Sequence, residues 1–75
     1  MRNSLKKLET SEIEKRIRNS MIYIFDCKKV FFVDAYVIAA RMAREVFGVT
    51  NESVYHVIAV NAAKSYIDSH GTPSI

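Results

Sequence analysis

Residues 34–69 read DAYVIAARMAREVFGVTNESVYHVIAVNAAKSYIDS, and this stretch decides the fold. Asp34 is a favourable N-cap, because its carboxylate accepts from the backbone N–H groups that open a helix. Behind it, Tyr36, Ile38, Ala39, Ala40, Met42, Ala43, Val46 and Phe47 recur as the apolar face of a helix, while Arg41, Arg44 and Glu45 share the opposite face. Gly48 is the residue favoured just past a helix C-terminus. A helix over 35–47 is therefore predicted. Thr50 or Asn51 then caps another over 51–69, which stops at Gly71 ahead of Pro73. Ala59, Ala62 and Ala63 would let a second helix approach it closely. Tyr55, Ile58, Tyr66 and Ile67 widen its apolar arc well beyond the ~100° stripe of a surface helix. Burial on two sides follows, which points to a dimer or another partner.

Upstream, Ser11 and Glu14 have the spacing of a capping box. Ile13, Ile17, Met21, Ile24 and Phe25 follow on one face, giving a first helix over 11–26. Leu5 and Leu8 could extend its stripe backwards. Val30 to Val33 is a β-prone block without polar alternation. It reads either as a buried connection or as a short strand over 29–33, and a lone strand would have to pair across a dimer. The expected architecture is all-α: a small domain of three helices spanning 1–75, with flexible ends at 1–9 and 71–75, and homodimeric.

Composition supports self-association. The chain has 75 residues, 49% of them apolar. A chain of this size hides only about 60% of its unfolded surface, so so much apolar area is hard to cover alone. Cys27 is the single cysteine, which excludes a disulfide framework and fits a reducing, cytoplasmic setting. Arg2, Lys6, Lys7 and Glu9 lead into no apolar core, so no secretory signal is expected. Charges interrupt the apolar window Met21 to Phe47 throughout, which argues against a membrane span. The net charge of +3 resides in residues 1–18, where six basic residues face three acidic ones; residues 19–75 balance at five each. Lys15, Arg16 and Arg18 are candidates to meet a phosphate backbone.

Catalytic chemistry has little to stand on. His56 and His70 are fourteen residues apart. On one helix that is ~21 Å, too far to share a metal. Cys27 plus one histidine falls short of a zinc ligand set. Cys27 reads as a core thiol and the histidines as surface imidazoles. No phosphate-cradling glycine loop and no carboxylate pair suited to acid–base work stands out. No enzymatic activity, metal, cofactor or small-molecule substrate is expected.

Residues 43–58, AREVFGVTNESVYHVI, resemble the middle of a helix-turn-helix of the kind found in bacterial repressors and site-specific recombinases. Gly48 stands in the turn, Val49 is the apolar turn residue and Thr50 is at the cap. Val54 and Val57 occupy the apolar positions of the second helix. The resemblance implies a DNA-binding regulator in which Asn51, Glu52, Ser53, Tyr55 and His56 lie along the groove-facing side, and DNA is the first partner. A ribbon–helix–helix, with Lys29 to Val33 as the ribbon, is a second form of the same role. The competing class is an adaptor or inhibitor that docks on a larger protein. Phe31, Phe32, Tyr36 and Tyr66 are the candidate interface residues, because aromatic anchors carry much of interface energy.

Overall fold

The computed structural model describes residues 9–74. It is all-α: α1 spans Thr10–Ile24, α2 spans Phe32–Arg41 and runs on as a π-helical turn over Met42–Val46, and α3 spans Glu52–His70. The expected flexible end at 1–9 lies, apart from Glu9, outside the described residues, as do Leu5 and Leu8. Residues 71–74 follow α3 without regular structure.

Each helix begins where the backbone finds its first acceptor. At α1 the N–H groups of Glu12 and Ile13 both donate to the Glu9 carbonyl at 3.0 Å. Glu9 is thus the N-cap, with no side-chain cap bond, and the Ser11–Glu14 capping box does not form, because Ser11 already lies inside the helix. Glu12 supplies first-turn negative charge to the helix dipole instead. The α1 end is sharp: Asp26 and Cys27 both have positive φ, 56° and 60°.

Of the two readings of 29–33, the short strand is absent, and with it the ribbon. No strand forms among the described residues. Phe31 is the extended N-cap of α2, and Phe32 and Val33 are its first turn. A lone β-prone block has no ladder partner, whereas entering a helix satisfies its backbone directly. Asp34 therefore acts from within the first turn rather than as the cap. At α3, Asn51 is the N-cap, and its side chain accepts from the Val54 N–H at 3.3 Å. Thr50 lies before it.

The helices form an up–down–up bundle around α3. Asn61 donates to Glu14 at 3.0 Å and Arg18 to the Ser65 hydroxyl at 3.4 Å, so α1 runs parallel to α3. Tyr36 meets His56 while Lys28 meets Tyr66, so α2 runs antiparallel. His56 projects from the opposite side of α3 to Asn61 and Ser65, as 3.6 residues per turn requires. This explains the broad apolar arc of α3: both of its flanks are covered by helices of its own chain, with no second molecule needed.

Ile17, Met21, Ile58 and Tyr66 are the largest fully buried side chains. Burying an aliphatic side chain of this size stabilises by about 1.5–3 kcal/mol. Ala35, Ala39 and Ala43 on α2, and Ala59, Ala62 and Ala63 on α3, are also completely buried. Small side chains on both helices let the two backbones approach closely. Tyr66, expected at an interface, is instead core: its hydroxyl donates to the Lys28 carbonyl, and its ring packs against Phe25 at 5.3 Å and stacks on His70 at 4.2 Å. Cys27, expected in the core, is exposed. Among the described residues, no helix is long and apolar enough to cross a membrane.

Candidate functional site: the groove between α2 and the start of α3

Gly48 turns the chain at φ +70°, with open space where a Cβ would sit. The π turn before it carries one residue more than α geometry would. The Phe47 N–H donates to Met42 and the Val49 N–H to Ala43, closing the turn at 3.1 and 2.9 Å. Ala43 continues the inward line of Ala35 and Ala39 and is fully buried, while Arg44 beside it is exposed.

An open groove of about 640 Å³ lies between α2 and the first turns of α3. Tyr36, Val37, Arg41 and Arg44 line it from α2, and Ser53, Tyr55 and His56 from α3. The Arg44 guanidinium lies 5.3 Å from the Tyr55 ring centre, within cation–π range, and its Nε donates to the Ala40 carbonyl at 3.4 Å. Tyr36 and His56 share a hydrogen bond of 2.8 Å and pack edge to face at 5.5 Å. Arg41 pairs with Glu45 at 3.8 Å, both well exposed, so that pair is weak and yields readily to a competing anion. Glu52 is the acidic residue on the groove wall.

The structure thus brings Ser53, Tyr55 and His56 together, with exposed Thr50 and Asn51 in the adjoining turn. It does not bring Lys15, Arg16 and Arg18 to them. These belong to α1 on the other flank of α3, where Arg16 pairs with Glu12 at 3.0 Å and Arg18 reaches Ser65. Within α3 the inward position falls to Ile58, and Val57 points outward, 54% exposed. Sequence reasoning missed Arg41 and Arg44 as site residues. Their placement on the outer face of the second helix was readable, but its apposition to Tyr55 and His56 depends on the antiparallel packing of α2 on α3.

A second surface feature is apolar. Phe31, Phe32, Val33 and Val37 are exposed, with Val33 at 63%, and the Phe32 ring stacks on Tyr36 at 6.4 Å. Among the described residues, no group of three or more histidine, cysteine or acidic side chains is placed to hold a metal ion. No protein-family model, curated protein or solved structure matches this chain.

Proposed function

We propose that this chain is a non-enzymatic DNA-binding regulatory protein that acts as a dimer and meets the phosphate backbone with the groove between α2 and α3. The observation that carries the reading is the convergence of Arg41 and Arg44 with Ser53, Tyr55 and His56 on one open groove beside the start of a 19-residue helix. Phosphate contacts come from arginine, from hydroxyl groups and from helix N-termini, and all three are present. Arg44 is held in place by Tyr55, so less side-chain freedom is lost when it binds.

The test is duplex DNA binding followed by fluorescence anisotropy across a salt series. Affinity should fall steeply as salt rises, because each neutralised phosphate releases counterions. Arg44→Ala and Arg41→Ala should each weaken binding uniformly across sequences and lower the log–log salt slope by about 1. A chain that fails to bind duplex even at low salt would end this reading.

A second reading, an adaptor or inhibitor docking on a larger protein, is favoured by a different observation. Phe31, Phe32, Val33 and Val37 form an exposed apolar surface around Tyr36. Contiguous apolar surface of this kind marks contact sites.

A further inference from the structure

Tyr36 and His56 are twenty residues apart and meet because α2 packs antiparallel on α3. The Tyr36 hydroxyl lies 2.8 Å from His56 Nδ1, and the two rings stand edge to face at 5.5 Å. Tyr36 is half-buried and stacked by Phe32, whereas His56 is exposed and lines the groove. A neutral imidazole carries one N–H, and the bond made by one ring nitrogen decides which nitrogen holds the proton. A phenol O–H is a better donor than an imidazole N–H. A bare imidazole nitrogen is a better acceptor than a phenol oxygen, whose lone pair is shared with the ring. The bond therefore runs from the Tyr36 hydroxyl to Nδ1, and the proton stays on Nε2. With Nδ1 occupied, Nε2–H is the polar group that His56 has left to offer a ligand.

We propose that Tyr36 is a positioning residue of the groove, which fixes His56 as a neutral Nε2–H donor to a phosphate oxygen of the bound duplex. The proposal rests on the DNA reading for its ligand. This contact differs in kind from those of Arg41 and Arg44. Arginine brings charge and displaces counterions, whereas a neutral N–H brings a directed hydrogen bond and displaces none. Because the tautomer is set beforehand, no proton has to change ring nitrogen when the phosphate arrives.

Heteronuclear NMR of the imidazole nitrogens in the free protein reads the tautomer directly, in mildly alkaline buffer where histidine is neutral. His56 should carry its proton on Nε2 alone. His70 is the internal reference: its Nδ1 lies 3.2 Å from the Tyr66 carbonyl, which can only accept, so it should show the opposite tautomer. Tyr36→Phe keeps the ring, so helicity by circular dichroism should be unchanged while His56 becomes a mixture of tautomers. In duplex anisotropy, His56→Ala should weaken binding about ten-fold with the log–log salt slope kept, unlike the arginine substitutions. Tyr36→Phe should weaken it less, and should cost nothing further in the His56→Ala background. A mixed tautomer in the wild type, a lowered slope in His56→Ala, or additive effects of the two substitutions would each overturn the proposal. A chain that binds duplex with a mixed His56 tautomer loses this proposal alone. A chain with the Nε2–H tautomer that ignores duplex loses the DNA reading and the phosphate contact together.

Discussion

Tyr66 shows how much one side chain can tie together. Its hydroxyl donates to the Lys28 carbonyl, pinning the turn after α1 to the end of α3, while its ring joins Phe25 and His70. Burial, and secondarily the charges of Cys27 and Asp26, raise its pKa above the ordinary 10.0. The folded chain therefore holds this proton more tightly than the unfolded one. The resulting stability is complete below pH 10.0 and is lost as pH climbs through the raised value. Tyr66→Phe should cost about 1 kcal/mol in urea unfolding at neutral pH. The gap between the two proteins should narrow as pH rises above 10.0 and through the raised value, where the wild type loses its advantage. A gap that is constant or widens with pH would reject this role. The aromatic character of Tyr66 was plain from the sequence, and its helical face was too. That its face meets the turn after α1 rather than a partner follows from packing over a separation of 38 residues.

The helices themselves were largely legible, because apolar spacing of three and four needs no tertiary knowledge. The ends were less so. Ser11 and Asp34 are both good caps by residue type, yet both lie inside helices, which start one and two residues earlier at Thr10 and Phe32. Capping preference acts over a single hydrogen bond, and the course of the preceding chain outweighs it. The π turn over Met42–Val46 left no readable signal. The alanine seam was half visible, in Ala59, Ala62 and Ala63, and its counterpart on α2 is what makes the approach close. Ala39→Leu should therefore cost about 1–3 kcal/mol by overpacking, read as a lowered urea midpoint with the slope kept. A neutral result would mean that the two backbones stand further apart.

For the molecule as a whole, the apolar excess divides into three parts. One part is consumed inside the bundle, where α3 is covered on both flanks. A second is exposed around Phe31, Phe32 and Val33, and the third lies on the outer ridge of α2 with Ile24. The Phe31 surface discriminates between the two functional readings. Phe31→Asp replaces an exposed residue, so the fold should persist with unchanged helicity and melting behaviour. If a protein partner docks there, the substitution should abolish that complex in a calorimetric titration while leaving duplex binding intact. Unfolding by Phe31→Asp would place that ring in the core and remove the second reading.

The sequence by itself determined the helical class and the number of helices, because these follow from residue periodicity and local backbone preference. It also placed Ser53, Tyr55 and His56 along one side of α3. Only the tertiary structure decided which flank of α3 each neighbour covers. That choice buries Tyr66, frees Cys27 and sets Arg41 and Arg44 beside Tyr55 and His56. It depends on close contacts between alanines distant along the chain, and such contacts leave no trace in local spacing.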